Sequence, residues 1–452
     1  MTPSRAIAEA YLAARSAIGD EARNAATIAL ADGLAVIIAA TGLEPAVKPF
    51  MTHAAALGAG DATLIGQGAS ASPVAAALAN GALAHAVDFE DTFETGKIHP
   101  NASLIPAVLA LAESEVANGE AIIGALALGC DFACRLSLAL DGDPARRGWY
   151  HPPILSGLGA TLGCSLLLSL DAAQTVSAFG LFLSQFLLPD ELKRSPRSHL
   201  RAVREGLAAR AAVDSALLAR AGVVAVEQPL EGQSGLFALL TGTGPRPGAF
   251  DDIGSSFFGP DVGIKRWPAC RGTHSAIVVA QRLKARGVIM DDIARVAVTV
   301  SRPNDMLFVP HAQRICPQTA IDAKFSIPFV FSAAMADDDV QLASFAPARL
   351  ADERLLRLAA AVEMAGMLGP DGPEAVYEVT LRGGEVLSEP VEPLPAWPAG
   401  SLALDDLRSK ITACIAAGKV AIAPETFLKL VADVVRAGAS PLMSALAEPR
   451  PN

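Results

Sequence analysis

From residue 4 to about 240 the chain is dominated by alanine, leucine and other apolar residues at helical spacing. Examples are SLIPAVLALAESEVANGEAIIGALALGCDFACRLSLAL and GLAARAAVDSALLARAG. Small residues fall on several faces of these stretches, so neighbouring helices can approach closely on more than one side. The pattern predicts a multilayer helical bundle. Hydrophobic residues make up 52% of the 452 residues, enough for a large core and for a buried subunit interface.

The composition shifts at GTGPRPGAFDDIGSSFFGPDVG, residues 242–263, where glycine, proline and serine break the helical pattern. Beyond it, ARVAVTVSRP (294–303) and AVYEVTLRGGEVLSEPVE (375–392) alternate apolar and polar residues as half-buried antiparallel strands do. Helical spacing at 274–287 and 353–366 intervenes, so this unit is α+β. After PLPAWPAGS (393–401) helical spacing returns and predicts helices that pack back on the first unit. The expected fold is mainly α: a large all-helical domain, residues 1–258 plus 402–452, with an inserted smaller α+β domain, residues 259–401.

The net charge of −11, with no long Lys/Arg run, argues against nucleic acid and anionic membrane as partners. No signal architecture is evident, and no apolar run is expected to reach spanning length without polar interruption, so a cytoplasmic protein is expected. The six cysteines are scattered without CxxC pairs, which suggests reduced thiols and no zinc or iron–sulfur site. Phosphate loops, GxSxG elbows, HExxH and dinucleotide fingerprints are absent, and no cofactor or metal is expected.

Against this apolar background, HAVDFEDTFETGKIHPNAS (85–103) gathers His85, Lys97 and His99 with four carboxylates. If a helix ran through it, His85, Asp88 and Thr92 would share one face with Asp91 close by, and Gly96 and Pro100 would turn His99 back toward them. An isolated acidic cluster is more often a solvated helix end, but the apolar flanks weaken that alternative here. In RRGWYHPPILSGLGATLG (146–163), His151 precedes a helix start whose N–H groups would suit an anion. GIKRWPACRGTHSA (263–276) crowds Lys265, Arg266, Arg271 and His274 around Trp267 and Pro268, a set suited to carboxylate recognition or to a solvated basic hinge. In KRSPRSHLRAVREG, most of Lys193, Arg194, Arg197, Arg201 and Arg204 read as a solvated helix start.

Taken in order, NGALAHAVDFEDT…HPNASLIPAVLALAE, YHPPILSGLGATLG, REGLAARAAVDSALLARAG, IKRWPACRGTH and AKFSIPFVFSAAM resemble the MmgE/PrpD family, nearly end to end. Its members include 2-methylcitrate dehydratases, cis-aconitate decarboxylases and iminodisuccinate epimerases. The resemblance implies a homodimer and an interdomain site free of metal and cofactor. It also implies Asp88, Thr92, His99, His151 and Lys265 as catalytic residues, with Arg201, Arg266, Cys270, His274 and Phe329 around the substrate. Three positions depart from the family pattern: Arg201 stands where a lysine is common, Phe329 where FSxxY has its tyrosine, and Cys270 where some decarboxylase-like members have histidine. These departures point away from cis-aconitate decarboxylation, toward a substrate with fewer or differently oriented carboxylates. The expected activity is a hydro-lyase of the 2-methylcitrate dehydratase type acting on a small polycarboxylate. The alternatives are an epimerase or isomerase of an α-substituted dicarboxylate, a decarboxylase, and a non-catalytic carboxylate binder. His99 and His151 are expected to move protons, because imidazole titrates near neutrality.

Overall fold

The computed structural model describes residues 2–43, 45–195, 198–369 and 372–450, so Arg197 lies outside the described residues. The chain opens with α1 (Pro3–Ala14), the long α2 (Asp20–Leu43) and α3 (Lys48–Ala56). An antiparallel hairpin of β1 (Ala62–Leu64) and β2 (Ala69–Ala71) follows, which corrects the all-helical expectation for this part. Next come α4 (Pro73–Ala86), α5 (Pro100–Ser114), α6 (Gly119–Ala139) and α7 (Pro152–Leu167). The bundle is completed by α8 (Ala172–Gln185), α9 (Leu200–Arg220) and the short α10 (Leu236–Leu240).

Local chemistry starts several of these helices. Ser72 caps α4 by accepting from the Ala75 N–H, with Pro73 in the first turn, and Asp171 and Gln174 close a capping box on α8. The small residues then set the packing distance. A Cβ placed on Gly206 of α9 would stand 2.3 Å from the Leu78 carbonyl oxygen of α4, so these two backbones are in contact. By length and composition α2 and α6 are both apolar enough to cross a membrane, contrary to the expectation that no run reaches that length. Most of each is buried by neighbouring helices, as in a core helix.

The α+β part carries α11 (His274–Ala285) and β4 (Ile293–Val300), then α12 (His311–Ile315), α13 (Ala320–Lys324) and α14 (Ile327–Ala336). It continues through α15 (Pro347–Leu350), α16 (Glu353–Ala359), β5 (Val362–Met367), β6 (Ala375–Leu381) and β7 (Val386–Val391). The sheet order is β5-β4-β6-β7, with β4 and β5 parallel and the other pairs antiparallel. The helix expected over 353–366 therefore stops at Ala359, and its second half becomes β5. The free edge of β4 offers unpaired backbone groups, and pairing them outweighs the weak helical preference of VEMAGM.

Two short strands, β3 (Gly263–Ile264) and β8 (Trp397–Pro398), pair antiparallel where the chain passes between the parts. The final helices α17 (Arg408–Ala417), α18 (Pro424–Ala437) and α19 (Ser440–Ala447) return to the bundle. Gly418 lies against the Ile38 carbonyl of α2, and the Leu446 carbonyl accepts from Gly66 after β1.

Candidate active site

The helix expected to run through His85, Asp88 and Thr92 ends at Ala86. Asp88 adopts a left-handed backbone with φ of 49°, a conformation costing on the order of 1–3 kcal/mol for a residue with a Cβ. The offset is visible in the next carbonyls, which meet lysines from three distant segments. Lys324 donates to Val87 O at 2.7 Å, Lys265 to Asp88 O at 3.2 Å and Lys410 to Phe89 O at 2.7 Å. Cations at the carboxyl end of α4 also complement its dipole. Lys410 further pairs with Asp32 at 2.6 Å and donates to Lys265 O, tying α2, α17 and β3 to the same segment.

This turn folds the acidic run inward. Asp88, Glu90 and Asp91 are buried, while Glu94 stays exposed and holds Arg271, so the solvated-end reading applies only to Glu94. Lys265 Nζ lies 2.7 Å from Asp88 Oδ1 and 3.6 Å from Glu90 Oε1, with all three side chains essentially inaccessible. Burial pulls the ammonium down, but Asp88 and Glu90 outweigh it, and its pKa is raised. Glu90 Oε1 also meets His85 Nδ1 at 2.5 Å and His99 Nδ1 at 3.3 Å. His99 Nδ1 is 2.8 Å from the Asp91 carbonyl oxygen, which can only accept, so the proton sits on Nδ1 and Nε2 keeps its lone pair. Burial holds the His99 pKa down to about 3 and that of His85 well below the ordinary value, so both rings are neutral at pH 7, which corrects the expectation that His99 titrates near neutrality.

One donor atom from each of His85, Asp88, Glu90 and His99 lies within 4.8 Å of the others. These are donor types that a divalent metal accepts, and the cation that meets them is the Lys265 ammonium. The sequence motifs point to Asp88, His99 and Lys265 and assign Glu90 no role. Its signal was an acidic side chain between two phenylalanines, Phe89 and Phe93, in an apolar region.

The other expected site residues are placed differently. Thr92 is buried, and its backbone bridges to Gly263 at 2.8 Å in both directions, joining the acidic turn to β3. His151 lies against the Gly96 backbone, and burial followed by Lys193 lowers its pKa to about 4. It is not one of the four clustered residues. The start of α7 has no N–H to spare for an anion: Pro152 and Pro153 lack one, and Ile154 and Leu155 both donate to His151 O. Arg266 is exposed with its guanidinium over the Trp397 ring, and Arg271 is forked onto Glu374 at 2.8 and 3.0 Å. His274 is buried edge-on to Trp267. The four basic residues of that stretch therefore diverge, because the chain bends after β3 and then turns into α11 between them. Cys270 is half-buried, its thiol raised to about 11 by burial and then by Asp88. Phe329 is fully buried, with its ring 6.3 Å from that of Phe345. Arg201 and Arg204 are buried rather than solvated, and the Arg201 guanidinium lies over Phe325.

Residues 7–247 match the model of the MmgE/PrpD N-terminal domain, and residues 267–426 that of the MmgE/PrpD C-terminal domain. Similar curated proteins include a cis-aconitate decarboxylase of Homo sapiens, 25% identical over 65% of this chain and 61% of its own length. A cis-aconitate decarboxylase-like protein, oryM, of Aspergillus oryzae is 26% identical over 64% of each chain. The cis-aconitate decarboxylase of Mus musculus is 24% identical over 75% of this chain and 71% of its own. The chain thus spans less than two thirds of the length of the human and Aspergillus oryzae relatives. Both halves of the fold that enclose the Asp88–Lys265 pair match one family in sequence order, and the chain belongs to the MmgE/PrpD family.

Proposed function

We propose that the protein is a lyase that removes a proton next to a carboxylate of a small polycarboxylate, using side chains alone. The observation that carries the reading is the buried Lys265–Asp88–Glu90 group beside His99, whose Nε2 lone pair is left free by the Nδ1–H bond to Asp91 O. Abstraction of that proton leaves charge on an enolate-like carboxylate, and a fixed ammonium in a low-dielectric site stabilises it far better than water does. In this reading His99 moves the proton, Asp88 and Glu90 fix the ammonium and the imidazole, and His151 serves the opposite face of the substrate. The first choice is dehydration of a hydroxylated polycarboxylate of the 2-methylcitrate type. Decarboxylation of cis-aconitate is the second reading, favoured by the names of the relatives.

Proton NMR in D2O with citrate, 2-methylcitrate, cis-aconitate and iminodisuccinate tests this, with Lys265→Ala as control. Dehydration gives a vinyl proton from citrate, or collapse of the methyl doublet of 2-methylcitrate to a singlet. Decarboxylation gives a geminal vinyl pair from cis-aconitate with release of CO2. Exchange of an α-proton without a new skeleton would replace the lyase reading by an epimerase, and silence across the panel would count against all three on these substrates.

A further inference from the structure

Two buried lysines that the proton chemistry does not use grip the Asp88–Lys265 pair from both sides. Lys410, on α17 among the C-terminal helices, donates to Phe89 O at 2.7 Å and to Lys265 O at 3.2 Å. It also meets Asp32 Oδ1 at 2.6 Å, so the three N–H groups of this ammonium are taken and none is left for a substrate. Lys324, on α13 of the α+β part, donates to Val87 O and to Pro268 O, both at 2.7 Å. Both lysines are buried.

The acceptors fall in a pattern. Val87 and Phe89 flank Asp88 on one segment, while Lys265 and Pro268 belong to the segment that carries the Lys265 ammonium. Each of the two lysines therefore takes one carbonyl from each segment. Asp88 and Lys265, 177 positions apart along the chain, meet at 2.7 Å between these two clamps. Because α4 has ended at Ala86 and Asp88 is left-handed, the buried carbonyls on either side of it have no further helical turn to donate to them. An ammonium fits this place, since donors radiating from one atom can serve two backbones at once. Aromatic rings fix the two heads: Lys410 Nζ lies 3.9 Å from the centre of the Phe89 ring, and Lys324 Nζ 4.4 Å from that of Phe345.

We propose that Lys410 and Lys324 are positioning residues, which hold the Lys265 ammonium and the Asp88 carboxylate in register without touching substrate or the reacting atoms. The proposal rests on the reading of Lys265 as the cation that meets developing negative charge, and adds what sets its place. Loss of either clamp lets one segment shift against the other, and a misplacement of ~1 Å at reacting groups costs on the order of a hundredfold in rate.

The variants Lys410→Met and Lys324→Met, made singly in the full chain, keep the apolar stem and lose the donors. Lys410→Met strands Asp32, so the double variant with Asp32→Asn takes its place if the single one does not fold. For whichever member of the NMR panel reacts, kcat is expected to fall about ten- to a hundredfold while KM stays within about threefold of wild type. A wild-type kcat in the folded variants, with or without a raised KM, would overturn the positioning role. Pulse labelling with acetic anhydride, read by mass spectrometry, needs no turnover: Lys265 should acetylate at least about tenfold faster in the variants, with hydrogen exchange across β6 and β7 unchanged. Labelling of Lys265 at the wild-type rate, or faster exchange across the sheet as well, which marks a general loosening, would also overturn it. Faster Lys265 labelling with an unchanged sheet, in a protein that turns over no member of the panel, would support the clamps and sink only the lyase reading.

Discussion

Asp91 gives the sharpest quantitative test of the buried acidic turn. Its side chain is 3% exposed, and Oδ2 accepts from Asn101 Nδ2 at 2.6 Å. Burial raises its pKa to about 7; Asp32 and Glu90 add to the rise, while Asn101 and Lys265 oppose it. In the unfolded chain an aspartate titrates near ~3.9. Between those values the folded protein holds a proton that the unfolded chain has released. Stability from this group is therefore fully present below about pH 4 and is lost as pH rises to about 7. A rise of roughly three units at ~1.4 kcal/mol each amounts to about 4 kcal/mol. Asp91→Asn removes the step, and a flip of the Asn101 amide restores a donor–acceptor pair. In urea unfolding followed at pH 5, 6, 7 and 8, the variant should gain on wild type by about 1.4 kcal/mol per pH unit up to pH 7 and level off above it. A gap that stays constant from pH 5 to 8 would refute the assignment of this titration to Asp91.

Three further outcomes are expected. His99→Ala should slow turnover of whichever panel member reacts by roughly two to four orders of magnitude, the usual worth of a general acid or base, and a near wild-type rate would remove His99 from the chemistry. Glu90→Gln withdraws the charge shared by His85, His99 and Lys265 and should cost about 1–3 kcal/mol in urea unfolding at pH 7; an unchanged midpoint would show that Glu90 does not hold the cluster together. Gly206→Ala drives a methyl into the Leu78 carbonyl, so stability should fall by about 1–3 kcal/mol or more, and a variant as stable as wild type would contradict the close approach of α4 and α9.

Much of the frame was legible locally. The Ala/Leu spacing gave the bundle helices, the alternation over 294–303 and 375–392 gave β4, β6 and β7, and the apolar setting of HAVDFEDT marked its carboxylates as unusual. The small hairpin β1–β2 and the strand β5 were missed, because both form by pairing with a partner rather than by their own pattern.

What the sequence determined by itself is the helical periodicity, the order of its elements and the presence of Asp88, His99 and Lys265 as groups able to do proton chemistry. The tertiary structure decided how those groups meet. The helix after His85 ends because Asp88 turns left-handed, and that turn is held by lysines far along the chain, Lys410 lying 321 positions from Phe89. It also decided which cations are already paired and which are not. Arg271 is taken by Glu374, Arg266 rests on Trp397 at the surface, and among the described residues Arg201 and Arg314 keep unbonded N–H groups in the interior. Periodicity is a property of neighbours along the chain. Burial and charge pairing are set by residues that only the folded chain brings together, and for a buried ion the partner determines whether it is neutralised or left to bind a ligand.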